Sequence, residues 1–374
     1  MTVLGAMVLP VNLAAFPRLS RAAKKRTSAS FPRVSVVIPA RNEEKDIERT
    51  VRSHLAQDYP DLQVIVVDDR SVDRTPEILR TLAREDPRVT VVAGTDPSGE
   101  WLGKPHALHL GARVADGALL LFADADVHYD PRAVRDAVVV MEDRGLDLLA
   151  FFPRFENRGF WENVLLPFLA VAVFLGFGFL ARFRRIPLAM GAGAGNLVRR
   201  GAYEAVGGHA AIRRAVVDDV RLAVVAKRAG FRVAAFRAED RVAVRMYRGF
   251  RQVWNGFTKN VAWAYSGAGG VALFALTVLL LAVAMAPAVV LIAASVGASL
   301  PSADVRLAAA LFLSSILVRA ILARALQGPI WPAATHALMA AVWTGIIGRS
   351  FYWKLVRKEV LWRGRRYDAA GAGF

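Results

Sequence analysis

The sequence predicts an α/β domain built on a doubly wound parallel sheet, followed by transmembrane or re-entrant helices. Three observations carry this. Short apolar, β-rich runs alternate with helical stretches from residue 33 to about 145. One run, Leu119-Leu120-Leu121-Phe122-Ala123, stops abruptly in Asp124-Ala125-Asp126. Long uncharged stretches crowd the second half of the chain.

The elements follow in order. Residues 34–38 read as a strand that Pro39 ends, and 42–57 as a helix with Asn42 as its N-cap. A second strand covers 62–67 and closes in Asp68-Asp69. A helix at 75–84 has Pro76 in its first turn. A third strand spans 89–92, a helix 106–114 and a fourth strand 118–122. Residues 163–181 are apolar over about a spanning length but contain Pro167, Gly176 and Gly178. Polar sequence resumes after them, which favours an interfacial segment.

The remaining boundaries come from hydropathy and charge. Residues 1–30 read as a partial N-terminal membrane anchor and a basic linker (Arg18, Arg21, Lys24, Lys25, Arg26). Residues 31–262 form the α/β domain, 267–348 the membrane helices and 349–374 a basic cytoplasmic tail. Three apolar stretches, at 267–300, 307–322 and 332–347, would put domain and tail on opposite sides if each crossed. Yet Arg349, Lys354, Arg357, Lys358, Arg363, Arg365 and Arg366 mark the tail as cytoplasmic. A re-entrant hairpin bent at Pro287 resolves the conflict, giving a multi-pass cell-membrane protein with a cytoplasmic domain.

Composition narrows the function classes. The chain has 374 residues, is 55% apolar and carries a formal charge of +17. Nucleic-acid binding is the bland reading of such a charge. The basic residues flank greasy runs instead, and no basic, aromatic-rich RNA-binding motif is present, so no nucleic-acid partner is expected. With no cysteine, a disulfide framework, a thiolate zinc site and a thiol nucleophile are excluded.

The carboxylates carry the chemistry. In a strand, residues i and i+2 share a face, so Asp124 and Asp126 would emerge together at the sheet edge where open α/β sheets bind ligands. Paired hard oxygens suit Mg²⁺ or Mn²⁺ with a phosphate-bearing substrate, against the alternative of capping a helix near Pro131. Asp69 at the end of the second strand can accept from ribose hydroxyls or a base N–H, while Asp73 and Thr75 shape the turn. Lys104, in Gly103-Lys104, can reach a diphosphate at a helix N-terminus, or be a solvated loop lysine. Asp218-Asp219 opens a helix ending at Arg228; the pair either caps it or supplies a general base. His209 is an ordinary loop histidine on this reading. The glycines of Met190-Gly191-Ala192-Gly193-Ala194-Gly195-Asn196 form a flexible loop packed closely beside the site.

Five motifs in order, from Val34 to Asn260, resemble the family 2 glycosyltransferases with their GT-A, Rossmann-like nucleotide-sugar-binding fold. They are Val36-Val37-Ile38-Pro39-Ala40-Arg41-Asn42-Glu43-Glu44, Val67-Asp68-Asp69-Arg70-Ser71, Gly103-Lys104, Asp124-Ala125-Asp126 and Val217-Asp218-Asp219. Trp101-Leu102-Gly103-Lys104, Phe160-Trp161-Glu162 and Trp362-Arg363-Gly364-Arg365-Arg366-Tyr367 look most like the membrane-attached members that glycosylate isoprenoid lipids such as carotenoids or hopanoids. The resemblance implies that Pro39, Glu43 and Asp69 line the nucleotide pocket. It also implies that Asp124 lies near ribose and metal, that Asp126 is the main ligand of the divalent ion, and that Asp219, beside Asp218, is the catalytic base. The implied reaction is an inverting, metal-dependent transfer of one sugar from a nucleotide sugar, with UDP favoured by family habit, to a membrane-lipid acceptor. Processive polysaccharide synthases of the family carry Q-x-x-R-W after the base. Arg251-Gln252-Val253-Trp254-Asn255-Gly256 does not match it, which argues for single transfer. A polymer synthase and a non-catalytic nucleotide-sugar binder are the alternatives.

Overall fold

The computed structural model describes residues 2–24, 31–97, 100–174, 178–186, 188–264, 270–357, 359–362 and 365–368. Lys25, Arg26, Gly176, Lys358 and Arg363 therefore lie outside the described residues. The chain opens with helices α1 (Thr2–Ala15) and α2 (Leu19–Ala23). There follow β1 (Val34–Ala40), α3 (Ile47–Leu55), β2 (Leu62–Asp68), α4 (Thr75–Glu85), β3 (Val89–Ala93), α5 (Gly103–Val114) and β4 (Leu119–Phe122). Next come β5 (Val127–Tyr129), α6 (Ala133–Arg144), β6 (Leu148–Phe152), β7 (Arg154–Phe155), α7 (Phe160–Leu165) and α8 (Pro167–Phe174). The domain finishes with β8 (Asn196–Arg199), α9 (Arg200–Ala205), α10 (Asp218–Arg228), β9 (Val233–Arg237) and β10 (Val242–Val244). Helices α11 (Gly249–Ala264), α12 (Gly270–Ser295), α13 (Ser302–Ala325) and α14 (His336–Tyr352) lead to the hairpin β11 (Glu359–Trp362) and β12 (Arg365–Asp368).

Among the described residues, seven strands form the main sheet in the order β3-β2-β1-β4-β8-β6-β9. The first four are parallel, as the alternating strand and helix signals predict. The parallel expectation fails at β8, which runs antiparallel to both β4 and β6. Strand β8 is reached through the long apolar segment, not through a βα crossover, so nothing constrains it to be parallel. A small second sheet, β5-β10-β7, stands over the end of β4. Val34, Val36, Val37, Ile38, Val64, Ile65, Val66, Leu120 and Leu121 are fully buried, because helices cover both faces of the central strands.

Several boundaries differ from those predicted. Strand β1 continues through Pro39 to Ala40. Helix α3 begins only at Ile47 after Asp46. Asn42 is not its cap: it adopts φ 54°, and its side chain accepts from the Val72 amide at 2.9 Å. Helix α5 starts at Gly103, which puts Lys104 in its first turn.

The apolar half also departs from a count of three spans. Helix α12 passes through Pro287 unbroken, so the expected hairpin bend is absent from the described residues. Two described helices are long and apolar enough to cross a membrane, within 277–295 and Ser302–Ala325. The third expected span is instead α14, packed inside the protein on α7 and α11, with Ala340, Trp343, Ile346 and Ile347 buried. Trp343 Nε1 donates to the Leu165 carbonyl at 2.9 Å. The segment at 163–181 is no span either: it is broken into α7, α8 and a 3-10 turn at Gly178–Arg182. Helix α8 packs with α1 and α13 in one apolar cluster containing Leu9, Phe16, Phe174 and Leu322.

Three histidines are buried in the α/β domain and held neutral. Burial lowers His54 to about 3, with the neighbouring His128 adding to it. Burial likewise lowers His209 to about 3 and His128 to about 4. Each unfolded imidazole takes up a proton near pH 6.5, and the folded domain does not. Stability is therefore complete above that pH and is lost as pH falls towards 4. At pH 5 each should cost roughly 2 kcal/mol. Thermal unfolding of the detergent-solubilised protein should show a clearly lower midpoint at pH 5 than at pH 7.5; equal midpoints would contradict this account.

Candidate active site

A cavity of about 1130 Å³ opens where β1 and β4 end. One side of it comes from four places: Pro39 near the end of β1 with Arg41 and Glu43 just beyond it, Lys104 at the start of α5, Asp124 and Asp126 after β4, and Asp218 and Asp219 at the start of α10. The sequence thus placed the acidic pair at the right edge for a partly wrong reason. Asp124 and Asp126 do not sit on successive outward positions of a strand. They belong to the turn joining β4 to β5, and that turn presents both to one cavity.

Lys104 organises the acids. Its Nζ lies 2.8 Å from Asp124 Oδ1 and 3.3 Å from Asp218 Oδ1. Burial opposes its charge, but Asp124, Asp218 and Asp219 outweigh burial and hold the ammonium well above the ordinary lysine range. It is not a solvated loop lysine. The Leu102 amide donates to the Arg213 carbonyl at 2.9 Å, which brings the start of α5 to the segment leading into α10. Asp218 is buried, and burial first, then Asp219 and Asp124, push its carboxyl up to about 6 against the pull of Lys104. Asp219 is more accessible, and its Oδ1 accepts from the Val220 amide at 2.8 Å. Both residues occupy the first turn of α10, after Val217 as the N-cap, and both line the cavity.

The glycine run is the wedge between the two acidic centres. The Asp124 amide donates to the Gly193 carbonyl at 2.8 Å. A Cβ on Gly193 would stand 2.2 Å from Asp124 Oδ2, and one on Gly191 would stand 2.0 Å from the Asp219 carbonyl oxygen. Asn196 at the start of β8 ties the loop down: its Nδ2 donates to the Asp219 carbonyl at 3.0 Å, and its Oδ1 accepts from the Ala192 amide at 3.2 Å.

Asp69 is the expected site residue that the cavity does not include. It is 3% exposed, with Arg41 3.8 Å away on one carboxylate oxygen and Arg70 3.6 Å away on the other. Arg41 lines the cavity and also donates to the Asp69 carbonyl. Asp69 follows the end of β2, the strand beside β1, and the Arg41 side chain reaches across to its carbonyl and carboxylate. The turn after it holds the loop that carries Glu43: the Glu43 amide donates to Thr75 Oγ1 at 2.8 Å, and the Glu44 amide donates to Asp73 Oδ2 at 3.1 Å. His209 is a satisfied core residue, its Nδ1 2.9 Å from the Tyr203 hydroxyl.

The opposite wall is largely apolar, and part of it comes from the apolar segment at 163–181. Phe168, Leu169, Val173 and Phe174 of α8, Phe151 and Phe152 of β6, and Trp343 of α14 line it. Arg251, Asn255 and Lys259 line it from one face of α11 at i, i+4 and i+8, with Gln252 beside them and Arg349 and Trp353 across from them. Arg349 Nη1 donates to Asn255 Oδ1 at 3.3 Å. That spacing was visible in the sequence, but nothing there placed α11 over the sheet edge. Trp254, on the other side of α11, packs on Phe250 and against Gly345.

The site fits a divalent cation that shares its coordination with a substrate. Asp124 and Asp126 offer hard oxygens to one cavity. The described residues contain no group of three or more acidic or histidine side chains able to hold a metal unaided. Mg²⁺ and Mn²⁺ are commonly bound by one or two carboxylates completed by phosphate and water.

Comparison with known proteins agrees with this geometry. The profile of glycosyl transferase family 2 matches residues 35–220. A 4,4'-diaponeurosporenoate glycosyltransferase from Staphylococcus haemolyticus is 29% identical over 64% of this chain and 64% of its own length. The protein of that name from Staphylococcus aureus is 28% identical over 72% of this chain and 71% of its own length. Among solved structures, a mannosyltransferase from Pyrobaculum calidifontis in complex with GDP-Man and Mn²⁺ superposes with a TM-score of 0.57 at 24% identity. That match covers 95% of this chain and 100% of the other.

Gly193→Ala should displace the Asp124 carboxylate while leaving the surrounding sheet intact. A shift of about 1 Å at a reacting centre can cost about 100-fold. Turnover should fall by that order with an unchanged far-UV circular dichroism spectrum. Near-normal turnover would show that the glycine's proximity to Asp124 is unimportant.

Proposed function

Because this chain is a glycosyltransferase with a family 2 domain on a GT-A fold, we propose that it moves a single sugar from a nucleotide sugar, a UDP-hexose, to a hydroxyl or carboxyl group of an isoprenoid, carotenoid-like membrane lipid. One observation supports this most: a single cavity joins an acidic, lysine-braced sheet edge to a wall of aromatic and aliphatic side chains. The acidic side suits a diphosphate–cation pair, and the apolar side suits a lipid chain. The relatives' printed names, which carry a carotenoid acid, point to the same acceptor class.

In this reading Pro39, Arg41 and Glu43 bound the nucleotide end, and Asp69 acts through Arg41. Asp126, with Asp124, would hold Mg²⁺ or Mn²⁺, and the ion would supply positive charge to the departing nucleoside diphosphate. Lys104 keeps Asp124 and Asp218 in place and adds positive field beside the diphosphate. Asp219 removes the proton from an acceptor hydroxyl as its oxygen attacks the anomeric carbon, and a single displacement inverts that carbon. Asp218 is engaged by Lys104, which favours Asp219 as the base. An acceptor carboxylate is already ionised near neutral pH and presents no proton to remove, so the base role of Asp219 applies to a hydroxyl acceptor.

Membrane attachment follows the same logic. Helices α12 and α13 pack together through a connection of six residues, and two crossings return the chain to its starting side. The domain and the basic tail then share the cytoplasmic face without a bend at Pro287. The absence of the Q-x-x-R-W pattern favours one transfer over polymer growth.

Asp126→Asn should abolish transfer, and Asp219→Asn should lower transfer to a hydroxyl acceptor about 10²- to 10⁴-fold, both with intact folding. Excess EDTA should stop the reaction and Mn²⁺ restore it, while the lipid product should gain one hexose. Full activity in EDTA would remove the metal from the scheme, and a ladder of products would favour a polymer synthase.

A further inference from the structure

Outside the cavity, the interior of the apolar half holds an unneutralised charge. Arg319 of α13 is 4% exposed, and among the described residues its Nη1 has no hydrogen-bond partner and no carboxylate faces it. His336, the first residue of α14, is 1% exposed and has no partner on either ring nitrogen. The two are close enough for the Arg319 charge to act on the imidazole; burial first, and then Arg319, lower His336 to about 4. His336 is therefore neutral and keeps one N–H to donate. A guanidinium taken out of water without a counter-charge costs several kcal/mol. The N-terminus of α14, 17 residues long, adds a field that favours an anion at the same place.

The position within the membrane half selects the class of anion. Arg18 donates to the Ala325 carbonyl at 3.0 Å, which fixes that end of α13 to the α/β domain. Arg319 lies six residues back, about 9 Å along the helix. The 3-10 turn Trp331–Thr335 packs on α13 and leads directly into His336. In that turn Trp331 is 47% exposed and stacks on Phe160, which is 52% exposed. Exposed paired aromatics of this kind sit at headgroup level.

We propose that Arg319, His336 and the N-terminus of α14 hold one phosphate group, supplied by the headgroup of an anionic phospholipid on the domain side of the bilayer. Such a lipid would clamp α13 to α14 and fix the membrane helices against the wall of the active-site cavity. The proposal rests on the reading of α13 as a membrane-crossing helix.

The test uses the full-length protein in nanodiscs of phosphatidylcholine, of phosphatidylglycerol, and of phosphatidylcholine with added inorganic phosphate. The unfolding midpoint of the unmodified protein should rise by about 3 °C or more in phosphatidylglycerol over phosphatidylcholine. Arg319→Leu should lose that difference, His336→Phe should reduce it, and Arg319→Lys, which keeps the charge without the fork, should retain part of it. An equal rise with inorganic phosphate, lost in Arg319→Leu, keeps the phosphate site and gives it a soluble source. If Arg319→Leu shows the same lipid difference, or is more stable than the unmodified protein in phosphatidylglycerol, the arginine is merely unpaired and the proposal fails. Failure of the protein to float with vesicles would instead overturn the membrane reading.

Discussion

Four carboxylates from two distant stretches of chain face one cavity, and a single ammonium stands among them. Asp124 and Asp126 arrive on the β4–β5 turn, Asp218 and Asp219 on the first turn of α10, and Lys104 bridges the two sets. Like charges this close repel strongly unless neutralised. Much of the surrounding architecture serves to hold them together. The antiparallel β8 places Asn196 where it secures the Asp219 backbone. Glycines at 191 and 193 let main chain pass where any side chain would strike Asp219 or Asp124. Arg41, Arg251, Lys259 and Arg349 line the same cavity, so it offers carboxylates to a cation and positive groups to a diphosphate. That is what a nucleotide-sugar site using a divalent cation requires.

The apolar half completes the site and is not a detachable anchor. Helix α8 supplies cavity wall on one side and packs with α1 and α13 on the other. Helix α14 buries Trp343 against α7 and turns Arg349 to the cavity mouth. A half-hidden ion cluster ties the halves together: Arg18 bonds Glu239 at 2.8 Å, and Arg237 donates to the Phe16 carbonyl at 2.8 Å. The apolar and acidic walls of the cavity are therefore parts of one packed structure, which suits the proposed transfer from a soluble donor to a membrane-held acceptor.

Local chemistry was legible in the sequence; long-range placement was less so. Strands β1 to β4 and helices α4 and α10 were readable because period and capping are local signals. Asp124, Asp126, Lys104 and Asp219 were readable because each closes or opens such an element. The antiparallel β8 and the small β5-β10-β7 sheet were not, since strands of two to four residues paired with partners far away in the chain, from Ala150 with Asn196 to Val127 with Val244, leave no periodic trace. Asp69 was expected in the pocket because it closes a strand and because the resemblance implies it; the cavity lining reaches Arg41, which pairs with Asp69, and does not include Asp69 itself. Arg251, Gln252 and Asn255 of α11 stood out in the sequence only as a departure from a motif, because only tertiary packing carries that helix to the cavity. Residues 332–347 looked like a span by hydropathy; in the structure most of them form α14, one face of which packs on α7 and α11.

The central claim is that the acidic cluster binds a nucleoside diphosphate through a shared divalent cation. Calorimetric titration of the full-length protein with UDP, in the presence and absence of Mn²⁺, tests it most directly. The account requires saturable binding with Mn²⁺ and at least tenfold weaker binding without it. Equal affinity in both conditions would contradict it.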